Sequence, residues 1–147
     1  KEFIDMIPFG AAWSWLVGLL GGAFAAALGG WDTAAQALLI FMGVDVVSGL
    51  VVAGIFGKSG KTGGGALSSL AMWKGLARKL FTLVMVALAA ELDRAIETGI
   101  FRDATIIAYI ANELLSIVEN VGLMGVPIPA AIKKAIEILK NKEEERV

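Results

Sequence analysis

The side chains that could perform acid–base or metal chemistry in this 147-residue chain are carboxylates, because the sequence contains neither histidine nor cysteine. Acidic pairs occur at Glu91 and Asp93 and at Glu113 and Glu119, and such pairs can act as general acid and base or bind a metal ion. The missing residue types exclude thiol and imidazole catalysis, disulfides and a Cys/His zinc site. With no nucleophile–base arrangement beside the acids, we predict no enzymatic activity, no cofactor and no metal site.

Two glycine–lysine motifs, Gly57-Lys58-Ser59 and Gly60-Lys61-Thr62, resemble parts of a phosphate-binding loop. The Walker pattern requires a glycine five residues before the Gly-Lys pair. Val52 and Ile55 occupy those positions here. We therefore interpret the segment as a solvated, basic and flexible hinge.

The overall composition is that of a membrane protein. Hydrophobic residues make up 57% of the chain, charged residues 18%, and the mean hydropathy is +0.76. Soluble domains are about 45–50% apolar and about 25% charged. The formal net charge of −1 argues against a nucleic-acid partner, which requires a basic surface. The sequence therefore predicts one all-α membrane domain in contact with the lipid bilayer.

Four apolar segments approach the length of about 20 residues that a membrane-spanning helix requires. The expected spans are residues 9–30, 34–56, 77–96 and 103–121. A signal peptide is the alternative for the first segment, because Ala23-Phe24-Ala25 resembles a cleavage site. The uncharged centre of the third segment, Leu80 to Ala90, is short. A three-span arrangement with that segment at the membrane interface is therefore the alternative topology.

The distribution of basic residues predicts the orientation. A Gly/Ser-rich loop at 57–74 and a short amphipathic C-terminal helix at 130–146 are both rich in lysine. The positive-inside rule places both segments in the cytoplasm, which makes the protein multi-pass with both termini cytoplasmic. The basic residues between the second and third spans are Lys58, Lys61, Lys74, Arg78 and Lys79.

Small residues recur at every fourth position of the first apolar segment. This spacing places them along one face of a helix, where close approach of two backbones favours association in lipid. The face is interpreted either as a contact between subunits or as packing against another helix of the same chain. The members of this small-residue ridge are Gly10, Ser14, Gly18, Gly22, Ala26 and Gly30.

Asp45 is a single acid near the middle of the second span. A charge at that depth costs about 2.5–3.5 kcal/mol on insertion scales, so the side chain should face protein or water. Arg78 and Lys79 are the candidate partners. A protonated, hydrogen-bonded carboxyl that holds helices together is the alternative.

The fourth span carries a polar stripe along its full length. At 100° per residue, seven polar side chains fall within a sector of about 120°, and such a stripe must face protein or water. It is interpreted as the lining of a pore or, alternatively, as a polar seam inside the monomer. The stripe consists of Thr105, Tyr109, Asn112, Glu113, Ser116, Glu119 and Asn120.

Three stretches of the sequence resemble the toxin secretion/phage lysis holin family. They are residues 41–49, FMGVDVVSG; residues 75–79, GLARK, followed by Leu92-Asp93; and residues 109–129, YIANELLSIVENVGLMGVPIP. The resemblance extends from about Trp31 to Lys140. It implies a phage or prophage protein that forms homo-oligomers in the host cytoplasmic membrane and opens holes. Those holes would release an endolysin, causing timed lysis, or an exported toxin.

Two other functions remain open from the residues alone. The chain could be a small ion channel or a proton-coupled transporter that uses Asp45 and Glu113 as a relay, although no internal repeat of the kind common in transporters is evident. It could also be an antiholin or a membrane anchor for a larger assembly.

Overall fold

The computed structural model describes residues 9–134, and within that range the chain is helical, with no strand. A further helix begins at 130, but most of the expected C-terminal helix 130–146 lies outside the described residues. The principal helices are α1 (Phe9–Ala27), α2 (Thr33–Val51), α3 (Ser69–Ile96) and α4 (Ile100–Leu123). The all-α prediction is confirmed.

The turn between α1 and α2 is built from glycine and an aspartate cap. Gly29 and Gly30 have φ values of +79° and +128°, which residues other than glycine rarely adopt. Asp32 then accepts a hydrogen bond from the Ala35 amide at 2.9 Å. This cap satisfies one of the free N–H groups at the start of α2.

α2 ends in a π-helical turn, Val52–Phe56, and Gly57 follows in the left-handed conformation. The loop from 57 to 68 then folds back on itself, because the Ser59 amide donates to the Gly65 carbonyl at 2.9 Å. The Thr62 hydroxyl donates to the Ala66 carbonyl, also at 2.9 Å. The loop therefore forms hydrogen bonds within itself.

α3 begins earlier than the third expected span. Ser68 caps its N-terminus by accepting a hydrogen bond from the Ala71 amide at 3.4 Å, so Lys74 lies on the helix rather than in the loop. The 28 residues of α3 extend over about 42 Å. That length exceeds a hydrocarbon core of about 30 Å.

α4 is the central helix of the described fold, because it packs against both α2 and α3. The side chains at the centre of this three-helix unit are apolar and almost fully buried. They are Leu28, Leu38, Met42, Val86 and Ile106.

Apart from its C-terminal end, α1 exposes most of its apolar surface. Trp15 and Leu19 are 77% and 72% exposed. A Cβ atom added to Gly18 or Gly22 would meet nothing within 4 Å in the described chain. At Gly18 and Gly22 the small-residue ridge therefore does not pack against another described helix.

Within residues 9–134, two helices are long and apolar enough to cross a membrane: Thr33–Phe56 and Ile100–Leu123, with hydropathies of 2.4 and 1.4. Only 33% and 22% of the apolar 18-residue segments in these two helices are buried within the described fold. The core helix of a soluble protein would be mostly buried, whereas these two helices direct most of their apolar surface outward. The described apolar part of α1, Ala12–Ala27, is shorter.

Candidate functional site

A buried group of charges joins α2, α3 and α4. The Lys79 ammonium lies 2.9 Å from Asp45 Oδ2 and also pairs with the Glu113 carboxylate. The three side chains are only 8–13% exposed. One ammonium is thus shared by two carboxylates, so the group carries a net negative charge when both acids are ionised. Of the two candidate partners of Asp45, the structure places Lys79 beside it.

Asn120 extends this group by one further layer. Its side-chain amide donates to Asp45 Oδ1 at 3.2 Å and to Ser48 Oγ at 2.9 Å. The Ser48 hydroxyl donates to the Asp45 carbonyl at 3.1 Å, and Ser116 lies near the Asp45 carboxylate. Every buried side-chain nitrogen and oxygen in the described range has a hydrogen-bond partner, as a protein interior requires.

Helical spacing explains why these residues meet. Glu113 and Asn120 are seven residues apart, or about two turns of α4, and therefore lie on one face. Asp45 and Ser48 are neighbours on α2 for the same reason. Gly49 lies on the same face of α2, and a Cβ atom there would be at an ordinary contact distance of 3.7 Å from Asn120 Nδ2.

The polar stripe divides into two edges. The inward edge is half-buried or buried and contacts α2, α3 or the apolar core. The outward edge contains Asn112 and Glu119, which are exposed, and the half-buried Thr105, whose hydroxyl donates to the Phe101 carbonyl at 2.7 Å. The inward edge consists of Tyr109, Glu113, Ser116 and Asn120.

Arg102, which the sequence pattern did not single out, organises the opposite end of the bundle. Its guanidinium binds Asp32 through two contacts, at 2.7 and 3.0 Å. Its Nε donates to the Leu28 carbonyl at 2.5 Å. The hydrogen bonds from Arg102 and from the Ala35 amide lower the pKa of Asp32 from 3.8 to about 2. The sequence did offer one indication: an arginine stands just before the fourth expected span. The predicted topology places it on the same side of the membrane as the short turn that contains Asp32.

Asp93 closes the turn between α3 and α4. Its carboxylate accepts hydrogen bonds from Thr98 Oγ1 at 2.5 Å, the Phe101 amide at 3.1 Å and the Arg102 amide at 2.7 Å. Glu91, in contrast, is exposed and pairs with Arg94. The structure therefore separates this acidic pair instead of directing both carboxylates to one site.

The other members of the predicted basic loop lie at the end of the bundle that carries the 57–68 loop. Lys58 and Lys61 belong to the loop, while Lys74 and Arg78 lie on the first turns of α3. Arg78 Nε donates to the Lys74 carbonyl at 3.4 Å. Over residues 9–134, no three acidic side chains gather in a way that could hold a metal ion.

Helices with apolar outer surfaces, packed around an apolar core and a few buried charges, are typical of an α-helical membrane protein. The sequence profile described as the bacteriophage holin family matches residues 22–141 of the chain. The chain belongs to the bacteriophage holin family, which is a membrane pore-forming and non-enzymatic family. The resemblance noted from the sequence is thereby confirmed.

Relatives support the same assignment. A probable holin of Bacillus phage phi105 is 30% identical over 110 residues, covering 74% of this chain and 76% of the relative. An uncharacterised protein of Halalkalibacterium halodurans is 38% identical over 135 residues, covering 88% and 94%. An uncharacterised 14.9 kDa protein from the nagH 3′ region of Clostridium perfringens is 36% identical over 131 residues, covering 88% and 93%. No solved structure matches the chain.

Proposed function

We propose that the chain is a holin that assembles as a homo-oligomer in the bacterial cytoplasmic membrane and opens holes there. It crosses the membrane four times, with both termini cytoplasmic. The holes release an endolysin, which produces timed lysis, or an exported toxin. The exposed outward edge of the α4 stripe is the observation that carries this proposal.

Exposing that edge to hydrocarbon would cost free energy. Asn112 and Glu119 are exposed on a helix long and apolar enough to span the membrane. A polar or charged side chain facing hydrocarbon is costly, so the edge must face water or another subunit. Association of several chains around a water-filled hole would hydrate this edge while the apolar faces of α2 and α3 stay in lipid.

The geometry of α1 supports contact between subunits. Its small-residue ridge is open along Gly18 and Gly22, and small residues allow the close backbone contacts that stabilise helix pairs in lipid. Another copy of the chain would supply the surface on which this ridge packs.

The buried charges provide a resting arrangement. Asp45, Lys79 and Glu113 hold α2, α3 and α4 together while the inward edge of the stripe stays covered. Opening would then require only the outward edge to gain water, because the inward edge remains inside each subunit.

Timed permeabilisation in bacteria tests the proposal. Expressing the chain with an endolysin, while following a potential-sensitive dye, should give abrupt depolarisation and then lysis. Asn112→Leu and Glu119→Leu should delay or prevent both events without lowering the amount of protein in the membrane. Leu114→Ala is the control, because Leu114 is 47% exposed and lies off the stripe. Unchanged timing in both leucine variants would contradict a hole-lining role.

An ion-conducting or proton-coupled role is the second candidate, because two buried carboxylates share one lysine. Transport would give saturable ion flux through single molecules and no passage of proteins. Release of a folded cytoplasmic enzyme to the medium therefore distinguishes a holin from a transporter, and an antiholin or membrane anchor would give neither result.

A further inference from the structure

A cavity of about 90 Å³ lies between the second half of α2, the first turns of α3 and the 57–68 loop. Its walls are mainly apolar and include Leu50, Leu67 and Leu76. The space is partly due to Gly75, because a Cβ atom added there would meet nothing within 4 Å. The volume equals that of roughly three liquid water molecules, enough for a few methylene groups.

A wider outer basin of about 440 Å³ adjoins this cavity and shares Lys61, Thr62 and Ser68 with it. Lys74 also lines the basin, and no carboxylate does. The N-terminus of α3 opens into it, which adds the positive end of a 28-residue helix to the two lysines. The basin therefore suits an anion.

The only acid that lines the cavity is Asp45, at its inner end, and this carboxylate lies 2.9 Å from the Lys79 ammonium. The crevice thus changes from apolar inside to basic outside. A phospholipid has the same order of chemistry, from acyl chain to phosphate, and basic pockets between helices on the cytoplasmic side are typical headgroup sites.

We infer that this crevice binds one anionic phospholipid of the leaflet that it faces. The phosphate lies in the basin between Lys61 and Lys74, and part of an acyl chain occupies the inner cavity. A free phosphate would use the basin alone, whereas a lipid accounts for the apolar wall as well. The inference rests on the membrane placement in the proposed function.

Native mass spectrometry of the detergent-solubilised full chain tests the headgroup contact. The protein is titrated with phosphatidylglycerol or with phosphatidylcholine of the same acyl chains, and we expect phosphatidylglycerol to bind more tightly. Lys61→Gln should weaken phosphatidylglycerol binding about fivefold, the factor for about 1 kcal/mol per basic side chain near an anionic headgroup. Lys58→Gln is the matched control: it removes a lysine from the same loop, but Lys58 lines neither the cavity nor the basin.

A second pair of variants tests the acyl-chain contact. Gly75→Leu fills the inner cavity and should weaken phosphatidylglycerol binding, while Gly43→Leu adds the same bulk on the exposed side of α2 and should not. If Gly75→Leu fails to fold, the two lysine variants still decide the headgroup contact.

Three results would overturn the inference: equal binding of the two lipids, equal losses in Lys58→Gln and Lys61→Gln, or undiminished binding in folded Gly75→Leu. Dye release from vesicles containing the same protein separates this question from the proposed function. If dye is released but the two lipids bind equally, only the lipid site is overturned. If phosphatidylglycerol is preferred but no dye is released, only the holin role is overturned.

Discussion

Replacing Lys79 by methionine removes the single positive charge that two buried carboxylates share. Methionine keeps a similar length and an apolar stem, so the change is electrostatic more than steric. Asp45 and Glu113 would then face each other without a counter-ion at 8% and 12% exposure. We expect Lys79→Met to be the most damaging single change in the three-helix unit.

The magnitude follows from the burial of all three groups. Removing one partner of a buried ion pair costs about 3–5 kcal/mol, because the remaining charge loses both its partner and its solvation. This corresponds to roughly two to four powers of ten in the folding equilibrium constant. Glu113→Gln should cost much less, because it leaves Asp45 and Lys79 as a balanced pair.

Unfolding of the purified protein in detergent, followed by circular dichroism, would measure the effect. The matched control is the triple variant Lys79→Met, Asp45→Asn and Glu113→Gln, which removes every charge of the group together. The triple variant should recover most of the loss, since Asn120 can still hydrogen-bond to an amide at position 45. If Lys79→Met is as stable as the parent chain, or if the triple variant is worse than Lys79→Met, the charge argument is wrong.

Three further predictions concern the ends of the bundle and the subunit contact. The pKa of Asp32 is lowered from 3.8 to about 2 in the folded chain, so its contribution to stability is present above pH 3.8 and lost as the pH falls toward 2. Because this side chain is 51% exposed, Asp32→Asn should lower the free energy of unfolding at neutral pH by no more than about 1 kcal/mol. If the parent chain and the variant unfold identically in acid, the assignment is refuted. Gly18→Leu with Gly22→Leu should lower the yield of chemically crosslinked oligomers and delay lysis without preventing insertion, and unchanged crosslinking would exclude the ridge as a contact surface. Since the chain has no cysteine, a single introduced cysteine reports its own side of the membrane. Ser59→Cys should react with an impermeant thiol reagent only from the cytoplasmic side, and Thr98→Cys only from outside. Labelling of position 98 from inside would exclude the four-span topology.

Local periodicity made the helical elements predictable, and the spacing of polar residues on α4 located its stripe. Periodicity could not show that Glu113 and Asn120 turn inward while Asn112 and Glu119 face outward, because that depends on where α2 and α3 pack. The resemblance to holins, by contrast, followed directly from contiguous residues and is confirmed.

Contacts between distant residues and local loop geometry were beyond the sequence. Asp32 and Arg102 are 70 positions apart, and nothing in either neighbourhood specifies their pairing. The composition of the glycine-rich loop did not reveal that the Ser59 amide donates to the Gly65 carbonyl. Composition describes what a loop tolerates, whereas its conformation depends on which amide and carbonyl groups meet.

The way in which α1 is attached has a consequence for how this protein can change over evolution. Arg94 and Arg102 bind the backbone carbonyls of Ala26, Leu28 and Gly30, at 2.5, 2.5 and 3.3 Å. A carbonyl is present whatever the side chain, so mutations there keep the acceptors.

The exceptions are Gly29, where a Cβ atom would lie 2.8 Å from Arg102 Cδ, and Gly30, whose φ of +128° other residues rarely adopt. Constraint at this attachment is thus concentrated in two arginines and two glycines. Substitutions at the other positions in this attachment would therefore leave α1 joined to the same three-helix unit.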